Sequence, residues 1–203
     1  MTPDPAAARH FESVAASYRH LRTAGPVGWL RRHETSAVRA LATVAPGESV
    51  LDAGCGDGFT LDWLTAADAR AFGIDLTAAM ARRCRARGHR VAVANLARPG
   101  LRRCFDWVLC IGALEFTSDP AAALAALAAL LRPGGRLVLL YPRIVPLGPL
   151  YVLYHRRHGV AIRLFTRESV RIMLIAAGLT GPEKTRWSWL SSVCVARRPD
   201  VAR

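Results

Sequence analysis

Ten residues constrain this chain more than any others: Val50-Leu51-Asp52-Ala53-Gly54-Cys55-Gly56-Asp57-Gly58-Phe59. An apolar run meets an acid and passes into three alternating glycines. Glycine lets a backbone turn through positive φ and approach a neighbour with no Cβ between, so Gly54, Gly56 and Gly58 specify a tight strand-to-helix turn pressed against a ligand. About 20 residues further on, Phe72-Gly73-Ile74-Asp75 reads as a second strand closing on a carboxylate, the place where a parallel βαβ unit offers an acceptor to two ribose hydroxyls.

The rest of the chain keeps the same alternation. Periodicity and breaker residues predict strand 49–53, helix 60–67, strand 71–75, helix 77–87, strand 90–94, strand 105–111 and helix 121–131. A stop at Arg132-Pro133-Gly134-Gly135 precedes strand 136–141; a last helix, 167–177, leads to strands 181–187 and 190–197. Phe11, Val14, Tyr18 and Leu21, then Leu30, Ala37, Val38 and Leu41, place two helices ahead of the sheet within residues 9–44. Such alternation implies an α/β fold with a doubly wound, Rossmann-like sheet. At 203 residues and 52% hydrophobic, one domain spanning 1–203 suffices.

The glycine spacing separates nucleotides. A dinucleotide site uses G-x-G-x-x-G, with a pyrophosphate over a helix N-terminus. Here the pattern is G-x-G-x-G with Asp52 two residues ahead, a carboxylate that repels a pyrophosphate and suits a cation. This combination, with Asp75, resembles the first motifs of the class I S-adenosylmethionine-dependent methyltransferases, over roughly residues 48–141. The resemblance implies seven strands with an antiparallel edge hairpin, and S-adenosylmethionine as cofactor. It implies that Asp52, Gly54, Cys55, Gly56 and Tyr18 surround the methionyl part and that Asp75 holds the ribose. Leu76, Asn95, Leu96 and Ile111 are then expected around the adenine and beneath the cofactor. Asn95 departs from the aspartate more usual there, and Phe116 stands where many small-molecule members carry histidine.

Methyl transfer from a sulfonium needs positioning and water exclusion more than a conspicuous catalytic set. Where the acceptor is a hydroxyl, a base helps, and His155, His158, His20 and Glu115 are the candidates. Phe116, Tyr151 and Tyr154 are expected beside the acceptor. Residues 142–165, apolar and aromatic and then sharply basic, read either as a lid over a lipophilic, even anionic, acceptor with a membrane-facing edge, or as an amphipathic helix packed on the sheet.

The formal net charge of +13 leaves nucleic acid as the rival acceptor class. The chain has Ile111-Gly112-Ala113 where base-amino methyltransferases carry an Asn/Asp-Pro-Pro-aromatic motif, and it has no Pro-Cys nucleophile, so a small molecule is favoured. A cofactor-binding protein without turnover is the third reading. Five cysteines without a C-x-x-C pair argue against a disulfide framework or a metal site and fit a reducing cytoplasm. O-methylation is favoured over N or C.

Overall fold

The computed structural model describes residues 5–102, 104–146 and 148–200. Residues 1–4, 103, 147 and 201–203 of the expected single domain, and the side chains of Pro5, Leu21 and Pro26, lie outside the described residues.

Seven strands form one sheet in the order β3-β2-β1-β4-β5-β7-β6. They are β1 (Ser49–Ala53), β2 (Arg70–Asp75), β3 (Val91–Val93), β4 (Phe105–Ile111), β5 (Leu131–Pro142), β6 (Lys184–Trp187) and β7 (Ser191–Arg197). The first five run parallel, and β7 pairs antiparallel with both β5 and β6. The sheet is therefore doubly wound, with the antiparallel hairpin at one edge. Strand β1 and strand β4 fall on the predicted bounds because each is a short apolar run closed by glycine.

The helices are α1 (Pro5–Val14), α2 (Tyr18–Thr23), α3 (Gly25–Leu41), α4 (Phe59–Ala66), α5 (Ala78–Ala86), α6 (Pro120–Ala129), α7 (Gly148–Arg157) and α8 (Arg167–Ala176). Alternate residues of each central strand feed two cores. Leu51, Val108, Leu139 and Cys194 pack with Leu124 and Leu127 of α6 and Leu174 of α8. Val50, Leu109, Val138 and Val193 pack with Val38 of α3, Leu61 and Leu64 of α4 and Cys84 of α5. Burial on both faces is why the strands read as near-continuous apolar runs.

Two expectations are corrected. Three helices, not two, precede the sheet: the continuous spacing from Phe11 to Leu21 is broken after Val14, where the Ser17 N–H donates to the Val14 carbonyl. The break lets α2 aim Arg19 at the glycine turn, its Nε 2.6 Å from Asp57 Oδ2 and its Nη1 3.1 Å from Asp62 Oδ2. The Arg132–Gly135 stop lies inside β5 rather than before it, with the register against β4 shifting between Phe105 and Trp107. The strand accommodates these residues because Gly135 packs where a Cβ would meet carbonyl oxygens of Arg132 and Phe105 at 2.9 and 3.0 Å.

Candidate active site

A cavity of about 340 Å³ opens at the carboxyl ends of β1, β2 and β4, where ligands of doubly wound sheets sit. The turn after β1 forms one wall. Gly54 sits at φ +81°, and a Cβ there would lie 2.3 Å from Ala113 Cβ, so the turn interlocks with the loop after β4 only because the side chain is missing. Gly56 sits at φ +53°, and a Cβ there would come within 3.2 Å of the Tyr18 ring, which closes the cavity from α2.

Asp75 holds this turn in shape. Its Oδ2 accepts the Gly56 N–H at 2.8 Å, and its Oδ1 accepts the Thr77 N–H at 2.9 Å and the Thr77 hydroxyl at 3.0 Å. Burial raises its pKa while the Thr77 and Gly56 donors oppose that rise. Oδ1 already takes two donors, whereas Oδ2 takes one and keeps lone-pair capacity on a residue that lines the cavity. Leu76, Asn95 and Leu96 line the same cavity, with Ala97 and Arg98 beside them. Asn95 Oδ1 accepts the Ala97 N–H at 2.9 Å, an Asx turn that fixes the loop after β3.

Asp52 is 2% exposed, and its Oδ2 has no hydrogen-bond partner among the described residues. Burial pushes its pKa up to about 7; Arg22 pulls the other way, and the neighbouring Asp75 and Asp57 add to the rise. Three carboxylates thus converge around a glycine turn, which disfavours a pyrophosphate and favours a cationic ligand. Asp52 does not border the cavity directly. Neither do Cys55 and Ile111. The Cys55 thiol turns into the core, 3.9 Å from Cys84 Sγ, and its N–H is spent on the Ile74 carbonyl. This is a correction for Cys55: its side chain fills the space left by Gly73, where a Cβ would lie 2.8 Å from the sulfur.

The candidate bases separate. His20 and His158 are exposed; His20 does not line the cavity, and His158 Nδ1 lies 2.8 Å from the Tyr154 carbonyl. His155 is 8% exposed, enclosed by the Phe116, Tyr151 and Tyr154 rings at 5.4, 4.7 and 5.3 Å. Burial, with His10, Arg31 and His158 nearby, lowers its pKa to about 4. Glu115 lies in a 3-10 turn, Leu114–Phe116, directly after β4. It is 2% exposed with Oε2 unpartnered, and burial raises its pKa to about 7 against the pull of Arg31. A Cβ on Gly112, which lines the cavity, would lie 3.6 Å from Glu115 Oε1 and 3.5 Å from Arg31 Nη1. The glycine is a window between the cavity and both groups.

Phe116 lines the cavity and starts an aromatic rim with Phe11 at 4.9 Å, itself 6.0 Å from Tyr18. Helix α7 reaches that rim through His155 rather than lining the cavity itself. Tyr154, expected beside the acceptor, points outward at 56% exposure, because only one side of a helix packed this way can face the rim. Sequence reasoning missed Arg31 and Glu34. They lie far from the motifs, and the local signal is an i,i+3 charge pair on a helix that also carries Arg32, His33 and Arg39. Arg31 Nη1 meets Glu34 Oε2 at 2.9 Å, and Glu34 Oε1 accepts the Ser191 hydroxyl at 2.6 Å. Burial opposes the Arg31 charge, but Glu34, Tyr151, Tyr18 and Glu115 around it hold its pKa above the ordinary value.

A doubly wound sheet with a glycine-walled, carboxylate-rich cavity at its switch point defines a protein built around a nucleoside cofactor that carries positive charge. Comparison with known proteins gives the particular class. A family described as a methyltransferase domain matches residues 51–139. The chain is 35% identical over 123 residues to a ubiquinone biosynthesis O-methyltransferase of Methylococcus capsulatus, covering 57% of this chain and 50% of that protein. The fold matches the Synechocystis magnesium protoporphyrin IX methyltransferase with bound S-adenosylhomocysteine at TM-score 0.76 and 21% identity, over 95% of this chain and 98% of the other. It also matches the N-methyltransferase NodS of Bradyrhizobium japonicum at TM-score 0.74 and 19% identity, over 95% and 98%. Residues 51–139 thus match a methyltransferase domain, and S-adenosylmethionine is the cofactor of that class of domain. The chain spans about half the length of the curated relatives it matches.

The residues present fit that cofactor: Asp52 is a buried carboxylate whose Oδ2 has no hydrogen-bond partner among the described residues, Asp75 keeps acceptor capacity on Oδ2, and the turn has no side chain in the way. A pH dependence follows. The Asp52 pKa stands at about 7 against an ordinary 3.8, so the folded protein holds an extra proton between those values. That contribution to stability is complete below the ordinary value and is lost as pH rises through about 7. A bound cation reverses the preference and expels the proton. Affinity for S-adenosylmethionine should therefore rise up to about tenfold per pH unit from mildly acidic pH toward neutrality. Calorimetry in buffers of different ionisation heat should detect the released proton, and Asp52→Asn should flatten the profile. A profile unchanged in that variant would assign the proton elsewhere.

Proposed function

We propose that the chain transfers the methyl group of S-adenosylmethionine to an oxygen of a small, largely hydrophobic molecule, with Glu115 as the general base. The observation that carries this reading is the buried Glu115 carboxylate just after β4, behind the side-chain-free Gly112, with Oε2 lacking a hydrogen-bond partner among the described residues. Within this reading Asp75 binds the ribose hydroxyls, Asp52 faces the positive charge, and Leu76, Asn95 and Leu96 take the adenine.

When bound, the cofactor supplies a methyl group on a sulfonium, activated for in-line displacement by the acceptor oxygen. Glu115 takes the hydroxyl proton as that oxygen becomes nucleophilic. A base whose pKa lies near working pH combines availability with driving force, which favours Glu115 at about 7 over His155 at about 4. Arg31, on the same side of Gly112, stabilises the developing oxyanion. Phe11, Tyr18 and Phe116 give the acceptor an apolar rim, and α1 to α3 with α7 act as the lid that excludes water. Tyr151 and His155 shape that lid from α7.

The test is turnover with methyl-labelled S-adenosylmethionine against an alkylated catechol, an alkylated hydroquinone, an aryl amine and a short RNA. Label is expected in the catechol or hydroquinone as a methyl ether. Label in RNA would establish the nucleic-acid reading, and label in the amine would remove the oxygen acceptor. Tight cofactor binding with no transfer to any of the four would favour a non-catalytic partner.

A further inference from the structure

The edge hairpin carries the most exposed aromatic side chains near the site: Trp187 is 58% and Trp189 70% exposed, with Trp29 of α3 at 43%. The Trp29 and Trp189 rings stand 5.9 Å apart. Between α3 and the hairpin runs a shallow depression of about 560 Å³, bordered by Arg143 and Arg186 and by no carboxylate among the described residues. The guanidinium groups of Arg143 and Arg167 lie 4.6 and 5.2 Å from the Trp187 ring centre. None of these three arginines forms an ion pair with a carboxylate among the described residues.

Tryptophan settles at a water–lipid boundary because the indole buries a large apolar body while its N–H stays wet. Arginine beside it reaches headgroup phosphates with several donors at once. We propose that this tryptophan–arginine face docks the protein on an anionic lipid bilayer. Charge selects this occupant. A second copy of the chain would bring a like-charged face, on a protein of formal net charge +13. Single-stranded nucleic acid wants free ring faces for stacking, whereas Trp187 is already faced by two guanidinium groups and Trp29 by His33 at 4.3 Å.

The topology gives docking an orientation. Pro142, the last residue of β5, pairs with Ser191, and the Gly112 N–H donates to the Leu140 carbonyl, so the hairpin tip emerges at the same end of the sheet as the cavity. Only β5 lies between β4 and β7, which sets the tip about 10 Å to the side of the β4 end. A docked molecule would present its cavity end to the membrane. The inference goes beyond the proposed reaction and stands without knowledge of the acceptor.

Flotation with phosphatidylcholine vesicles, with and without phosphatidylglycerol, tests it. The wild type should float with the anionic vesicles at low salt and far less with phosphatidylcholine alone. A Trp187→Ala/Trp189→Ala double variant should lose about tenfold or more of that partition, as should Arg143→Gln/Arg186→Gln. Calorimetric binding of S-adenosylmethionine, unchanged in both, shows that the variants are folded and keeps this test separate from that of the reaction. Three results would each overturn the proposal: equal partition into both vesicle types, wild-type flotation by both double variants, or no vesicle binding alongside a dimer or an RNA complex that the tryptophan variant abolishes.

Discussion

Changing Asp75 to Ala should weaken S-adenosylmethionine binding by about ten- to a thousandfold and lower the melting temperature as well. The first effect follows from the proposed ribose-binding role of Asp75, each charge-assisted hydrogen bond lost being worth about 1.5–3 kcal/mol before water and neighbouring groups compensate. The second is visible only in the structure. Asp75 accepts the Gly56 N–H and the Thr77 N–H, both from buried positions. Orphaning two such donors costs about 1–3 kcal/mol each, so a drop of roughly 5–15 °C is expected for a chain of this size. Thermal unfolding without ligand measures the structural loss, and calorimetry well below the new melting temperature measures the affinity. A dissociation constant equal to wild type would show that Asp75 shapes the turn without touching the ribose.

Glu115→Gln should lower kcat by about a hundred- to ten-thousandfold with little change in cofactor affinity. The amide keeps the shape and hydrogen-bonding size of the carboxylate but cannot take a proton. The sign of the pH dependence is fixed by the same group. Its pKa is raised from 4.5 to about 7, so wild-type activity should climb as pH rises through about 7 and the base ionises. In Glu115→Gln that acidic limb should vanish from kcat measured at saturating S-adenosylmethionine, where the Asp52 effect on cofactor affinity no longer enters. His155→Ala serves as the comparison, since a neutral ring among Phe116, Tyr151 and Tyr154 contributes packing. Its activity should fall modestly and keep the limb. Persistence of the limb in Glu115→Gln, or its loss in His155→Ala, would transfer the role to the histidine.

The parts of this protein that were legible in its sequence are those where local chemistry decides geometry. Strands buried on both faces and closed by glycine, such as β1 and β4, read directly, as did the turn between Asp52 and Gly58. The acidic strand end at Asp75 was expected to face a ligand and does line the cavity, but its role as acceptor for Gly56 and Thr77 was not legible, because those bonds depend on the turn folding back. Helix α2 was hidden because apolar spacing continues through the break after Val14, while the contact that the break permits, Arg19 with Asp57, is tertiary. Arg31 and Glu34 were invisible for the same reason. Nothing near them in the chain says that Gly112 and Ser191 will lie alongside. Tyr154 was placed on the acceptor because a sequence shows the aromatic richness of 151–158 but not which side of the helix turns inward.

The missing side chain of Gly54 and the methyl of Ala113 occupy one space between them. In evolutionary terms this joins two loops that serve different molecules into one inherited unit, since neither position can grow unless the other retreats. Novelty in what is methylated is therefore expected to arise elsewhere, in α1 and in α7, which touch the rim without bracing the turn. Laboratory libraries that seek new acceptors should diversify Phe11, Phe116 and Tyr151 and leave residues 54 and 113 fixed.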